Sequence, residues 1–145
     1  MATKVNLGCG KLHKKGYLNV DIRPPADLVF NITRKPLPIQ ASLVEADNML
    51  EHLDNDEFIR AMNNIFHSLV PGGRFWFKVP DALNWPDGAY GDPTHKRFFV
   101  PRSFLYFDMA TPQWKNYGSH YGLEGWKMVS TVSDMRFFTC TLQKP

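Results

Sequence analysis

The sequence predicts an α/β domain built on a largely parallel sheet, and three observations carry that prediction. A short apolar run, Lys4-Val5-Asn6-Leu7, breaks into Gly8-Cys9-Gly10, as a buried strand does when it turns with no side chains in the way. An amphipathic helical pattern lies between strand-like runs at 43–47 and 74–79, the strand–helix–strand unit of parallel architecture. Two more strand-like runs, 126–132 and 136–142, close the chain.

The first three strands are expected at 4–7, 17–22 and 27–32, each rich in Val, Ile, Leu or Phe and bounded by Gly, Pro, Asn or Asp. Only nine residues separate Leu7 from Tyr17, whereas a parallel crossover takes about a dozen or more. Any helix there is a turn or two. After the run at 43–47, Asp54 with Glu57 three residues on forms a capping-box-like start, Asp replacing the usual Ser or Thr. Phe58, Met62, Ile65, Phe66 and Leu69 follow at helical spacing and read as a core stripe. Pro71-Gly72-Gly73 is expected to end the helix before the strand at 74–79.

Residues 80–125 differ. They hold Trp85-Pro86, Gly88, Gly91, Asp92-Pro93, Pro101, Pro112 and Gly118, and read as long loops with short turns of helix. Ordered loops of this length are more often functional than idle. Their aromatics, among them Trp85, Tyr90, Phe98, Phe99, Phe104, Phe107 and Tyr121, serve as core, as a pocket lining or as a lid.

With 145 residues, 43% apolar and 21% charged, the chain has globular composition, and a single domain over 1–145 is expected. No apolar run approaches the roughly 20 residues that span a bilayer, so no membrane partner is expected. The N-terminus lacks a signal-peptide core, and Cys9 and Cys140 make no disulfide framework. A cytoplasmic protein is expected. Net charge is +3, with Lys11, His13, Lys14 and Lys15 directly after the glycine turn. That cluster is either a solvated loop or a positive rim for an anionic partner.

The glycine turn lets backbone approach a ligand closely, and Asp21 at the tip of the next strand can accept two hydrogen bonds from a ribose diol. Together they predict a nucleoside-bearing cofactor. Lys11, Leu12 and His13 follow Gly10 without a third glycine, which counts against a dinucleotide site. There is no Gly-x-Ser-x-Gly elbow and no Gly-Lys-Ser/Thr loop, so hydrolase and kinase-like readings drop out. The histidines and cysteines lack paired ligand spacing, and no metal is expected.

The ordered set Asn6-Leu7-Gly8-Cys9-Gly10, Gly16-Tyr17-Leu18-Asn19-Val20-Asp21, Pro36-Leu37-Pro38-Ile39, Met49-Leu50-Glu51-His52-Leu53, Leu69-Val70-Pro71-Gly72-Gly73-Arg74 and Val79-Pro80-Asp81 resembles the class I S-adenosylmethionine-dependent methyltransferases. The likeness is nearest to a small subgroup with a shortened first crossover, and it covers roughly residues 4–82. It implies a three-layer Rossmann-like sheet, mostly parallel with a C-terminal antiparallel hairpin, and reduced helices in the first half. It implies S-adenosylmethionine as cofactor. Gly8, Cys9 and Gly10 would form the turn under its methionine part, in the stretch that Asn6 opens. Asp21 would bind the ribose, Ile22 would lie against the adenine, and Asn48, Met49 and Leu50 would pass beside the cofactor. Asn31 stands where the family often has Asp at the adenine amino group, and its amide oxygen can accept the same bond.

Methyl transfer from a sulfonium is an in-line displacement for which the protein mainly aligns the partners; a base is needed only when the acceptor loses its proton early. Candidates are His52, His95 and Asp81. His52 is a base or a structural residue bonding nearby backbone. His95, in Gly91-Asp92-Pro93-Thr94-His95-Lys96-Arg97, is oriented by Asp92 or sits on a plain surface turn. Asp81 reaches the sheet's carboxyl edge or caps the next turn. No Asp/Asn-Pro-Pro-Tyr/Phe follows the fourth strand, so amino methylation of DNA bases is not supported. The leading reading is a methyltransferase of minimal size whose acceptor, a small molecule or a nucleic acid, is unidentified. The others are a catalytically silent S-adenosylmethionine-binding partner subunit and a nicotinamide oxidoreductase, the last disfavoured by the missing glycine. The acceptor pocket has to come from 80–125, from the second copy of a homodimer or from the substrate itself.

Overall fold

The computed structural model describes residues 2–145. Seven strands, β1 (Lys4–Leu7), β2 (Leu18–Asp21), β3 (Leu28–Val29), β4 (Ala41–Asp47), β5 (Leu69–Pro80), β6 (Lys127–Ser133) and β7 (Phe137–Gln143), form one sheet. Its order is β3-β2-β1-β4-β5-β7-β6. The first five are mutually parallel, and β7 runs antiparallel to both β5 and β6. This is the expected mixed sheet with its C-terminal hairpin, and no helix of any length joins the first four strands among the described residues.

The pairing register sorts the sheet into two unlike faces, because successive side chains alternate sides. Val5, Val44, Phe75 and Leu142 make one row across β1, β4, β5 and β7, and Leu7, Ala46, Phe77 and Cys140 the next. All eight are buried. The helix α1 (Asn55–Ser68) belongs to the same core through Phe58, Met62 and Ile65. On the opposite face the rows are polar: Asn6, Glu45, Trp76 and Thr141, then Asp47, Lys78 and Thr139. There the β1–β2 loop takes the place of crossover helices. Lys14 Nζ pairs with Glu45 and lies over Trp76, Tyr17 Oη donates to Glu45 Oε1 (2.8 Å), and Asn6 Nδ2 donates to Leu12 O and Asn19 Oδ1. Lys14 is therefore a clasp for the loop and no part of a solvated rim.

α1 begins with the full capping box: Asp54 Oδ1 accepts from Glu57 N–H (2.8 Å) and Glu57 Oε1 accepts from Asp54 N–H (3.0 Å). The Glu57 amide holds the Asp54 carboxyl below its ordinary value. A lowered folded-state pKa stabilises above the ordinary carboxyl range, and that gain is lost as pH falls through the folded value. An Asp54→Ala variant is thus expected to melt below the wild type at neutral pH, with the gap closing in strong acid; parallel melts across pH read it, and a gap that does not change with pH would sink the assignment.

Pro71-Gly72-Gly73 does not separate helix from strand as expected. β5 starts at Leu69, which pairs with Ala41, and the Pro-Gly-Gly segment is an irregularity inside the strand. Gly72 takes φ +80 there, and Gly72 and Gly73 exchange backbone hydrogen bonds with Lys144. Burial of Leu69 on the core side recruits the chain into the sheet five residues before Arg74.

The 80–125 region contains α2 (Pro86–Tyr90), α3 (Pro112–Asn116) and 3-10 turns at Pro101–Phe107 and Gly118–Tyr121. Its buried aromatics are core. Phe104 lies 4.5 Å from Phe77 and 5.6 Å from Phe138, centroid to centroid, and Phe99 lies 5.0 Å from Phe58. Both cysteines are free and buried. No helix among the described residues is long and apolar enough to cross a membrane.

Candidate functional site

The parallel strands all end on one edge, and the strand order reverses at β1, with β2 and β3 to one side and β4 and β5 to the other. Ligands of open α/β sheets bind at such a reversal point. A cleft of about 570 Å³ lies there, walled by Gly8, Gly10, Asp21, Ile22, Asn31, Asn48 and Met49, with Phe30, Thr33, Lys11 and Lys96 around them.

The turn after β1 is built to be bare. Gly8 takes φ +72, and a β-carbon added to it would stand 2.6 Å from Met49 Cγ. Gly10 takes φ +50 and has open space where its β-carbon would be. The turn's amides, however, are already used: Gly8 and Cys9 donate to Val20 O, and Gly10 donates to Asp21 Oδ2 (2.8 Å). What the glycines offer a ligand is a surface without side chains, not free donors. Asp21 Oδ1 also accepts from Arg23 N–H (3.1 Å), so its carboxylate is fixed at the cleft wall with lone pairs to spare.

Seven of the ten residues expected at the cofactor line this cleft; Asn6, Cys9 and Leu50 do not. Asn6 points to the opposite sheet face and ties down the β1–β2 loop, as alternation along β1 demands. Cys9 and Leu50 turn into the core. Asn31 lines the cleft, yet its Oδ1 already accepts from the Thr33 amide (3.0 Å) and hydroxyl (2.7 Å). It therefore presents its NH₂ group, a donor where the expectation called for an acceptor.

A second cavity, about 500 Å³, opens beside the first and shares Asn48 and His52 with it. Glu51, Trp85, Asp87, Asp92, His95 and Phe137 line it too. Asn48 follows β4 with φ +53, a left-handed conformation that Asn adopts more readily than most residues, and its buried Oδ1 has no donor among the described residues. The 3-10 turn Leu50–His52 then sets Glu51 inward at 1% exposure. Burial pushes the Glu51 carboxyl up to about 7. The Asp92–His95 turn is docked onto it, for Lys96 and Arg97 amides both donate to Glu51 O.

The predicted acid–base candidates separate here. His52 and His95 meet, their rings 4.9 Å apart and edge to face. His52 Nδ1 lies 3.3 Å from Thr94 O and 3.2 Å from Thr94 Oγ1. His95 is no surface residue: its side chain is 8% exposed, with Nε2 3.5 Å from Asp92 Oδ2. Asp81 is elsewhere. It is fully buried, and its carboxylate caps the next turn by accepting from Leu83 N–H, Asn84 N–H and Asn84 Nδ2. Asp81 lines neither cavity. Glu51 and Asn48 are the acceptor-rich residues at the junction; adjacency to His52 was the only sequence signal for Glu51, and nothing in the sequence disclosed its burial.

No family model and no curated protein matches the sequence. Solved structures do resemble it. The 1,6-didemethyltoxoflavin N1-methyltransferase of Burkholderia thailandensis, solved with its substrate and S-adenosylhomocysteine, superposes with TM-score 0.67 at 13% identity over 99% of this chain and 71% of its own. The N-methyltransferase NodS of Bradyrhizobium japonicum, with S-adenosylhomocysteine, gives 0.55 at 14% over 99% and 78%. An S-adenosylmethionine-dependent methyltransferase of Clostridium acetobutylicum gives 0.66 at 9% over 99% and 84%. The likeness establishes the fold.

Proposed function

We propose that this chain, which has the class I methyltransferase fold, is an S-adenosylmethionine-dependent methyltransferase. The cofactor occupies the cleft between β1, β2 and β4, and the acceptor, a small molecule or a nucleic-acid group, enters the second cavity. One observation carries the reading: two cavities of ligand size meet at Asn48 and His52, so two ligands can touch there without sharing a pocket. That arrangement favours an active enzyme over a silent binding module, which has no use for the second cavity.

The residues fit the cofactor. The bare surface at Gly10 admits its methionine part, Asp21 accepts from the ribose, and Ile22, 58% exposed at the cleft, supplies an apolar wall for the base. Lys11 and Lys96 bring positive charge to the same walls, which suits a carboxylate. When bound, S-adenosylmethionine supplies an electrophilic methyl carbon. The chain's task is then to hold the acceptor against Asn48 and His52 and to exclude water, which places His52 and His95 on the acceptor side of the reaction.

Calorimetric titration tests the reading: S-adenosylmethionine is expected to bind stoichiometrically and NAD not to bind, and absence of S-adenosylmethionine binding overturns it. Methyl release in an acceptor screen separates the active enzyme from the silent module. A Gly8→Ala variant is expected to lose both melting temperature and cofactor affinity. Its left-handed backbone costs about 1–2 kcal/mol with a β-carbon, and that carbon collides with Met49. Wild-type affinity in that variant would remove the turn from the binding surface.

A further inference from the structure

Glu51, His52 and His95 all line the second cavity. Glu51 is 1% exposed, and neither of its carboxylate oxygens receives a hydrogen bond from a described residue. His52 Nδ1 lies 3.3 Å from Thr94 O and 3.2 Å from Thr94 Oγ1. Both are acceptors toward it, since the Thr94 hydroxyl spends its proton on Asp92 Oδ1 (2.7 Å). Nδ1 of His52 therefore carries the ring hydrogen. His95 Nδ1 stands 2.8 Å from Ala89 O and must donate as well. In the neutral rings Nε2 of each carries the lone pair, that of His95 with Asp92 Oδ2 standing 3.5 Å away.

One ligand atom from each of Glu51, His52 and His95 lies within 4.8 Å of the others. Two imidazoles whose second nitrogens are held on backbone carbonyls, beside an unpaired buried carboxylate, are arranged as metal-ligating histidines are. A buried carboxylate without a partner is costly, and a bound cation is one way to relieve that cost. We propose that Glu51, His52 and His95 bind a first-row divalent transition metal ion such as Zn²⁺. Nitrogen and carboxylate ligands with no thiolate suit that class. Ligand atoms around a tetrahedral Zn²⁺ stand about 3.3 Å apart, so binding has to bring the three ligand atoms closer together than the 4.8 Å within which they lie. The ion claim stands apart from the methyl-transfer reading. Its consequence rests on that reading: a cation beside Asn48 and His52 would hold an oxygen or nitrogen of the acceptor at the mouth of the cofactor cleft.

The test is a titration of the tag-free chain, stripped with EDTA, with Co²⁺. One equivalent is expected to bind, with visible ligand-field bands that Zn²⁺ displaces. His95→Ala and Glu51→Gln are each expected to abolish those bands. His67→Ala, on the exposed end of α1, keeps them. Thermal melts confirm that each variant folds, and His52→Ala replaces any that does not. Two results overturn the proposal: no saturable Co²⁺ or Zn²⁺ binding, or equal binding in wild type and His95→Ala. A melting temperature raised by methylammonium but not by Zn²⁺ overturns it in favour of a cationic acceptor. Because S-adenosylmethionine affinity is measured separately, failure here leaves the methyltransferase reading standing.

Discussion

Replacing Asp21 with alanine is expected to weaken S-adenosylmethionine binding by about 10- to 100-fold, the range that follows from losing hydrogen bonds to a charged group. Two losses combine in this variant. On the proposed reading the ribose loses its acceptor, and the Gly10 amide loses the Asp21 oxygen 2.8 Å away that fixes the glycine turn. The Arg23 amide is freed as well. An Asp21→Asn variant separates the two effects, since its remaining oxygen can hold either the turn or a hydroxyl but carries no charge. Intermediate affinity is expected for it. Calorimetry with all three chains reads the series, and an Asp21→Ala chain that binds like wild type would show that the ribose is held elsewhere.

A Phe104→Ala variant is expected to lose about 3–5 kcal/mol of stability, as aromatic-to-alanine changes in closed cores do. Phe104 is fully buried, although it comes from an irregular stretch. It contacts Phe58 of α1, Phe77 of β5, Phe138 of β7, and its neighbours Phe99 and Phe107. A domain of this kind has about 5–15 kcal/mol in all, so the loss is a large share of it. Denaturant unfolding measures it; a change below about 1 kcal/mol would mean that the site collapses around the deletion. Phe98→Ala is the control. Phe98 is 41% exposed and stacks on Tyr90 at the surface, so little change is expected. The effect should also reach the site, because Phe99 bridges to Asp81 and follows directly on the segment that holds His95.

The elements set by short-range chemistry were legible. Asp54 and Glu57 cap α1 because a side chain three residues away is within reach whatever the rest of the chain does. The glycine turn and Asp21 were legible for a similar reason: left-handed backbone at Gly8 and Gly10 is a local demand. The end of α1 was misread at Pro71-Gly72-Gly73, since the pull of Leu69 into the sheet comes from Ala41, far off in sequence. Alternation along β1 put Asn6 on the far face, a fact fixed only once β1 lies between β2 and β4.

The sequence by itself determined the local chemistry of one half of this protein: a bare turn, an acid on the next strand and a capped helix, each written in neighbouring residues. Only the tertiary structure decided the other half. It carried His95 from the 92–97 turn to the side of His52, and it buried both Asp81 and Glu51, the latter with no donor in reach. Backbone conformation follows from contacts a few residues long, whereas burial and the pairing of polar groups depend on which distant segments the packed core brings together.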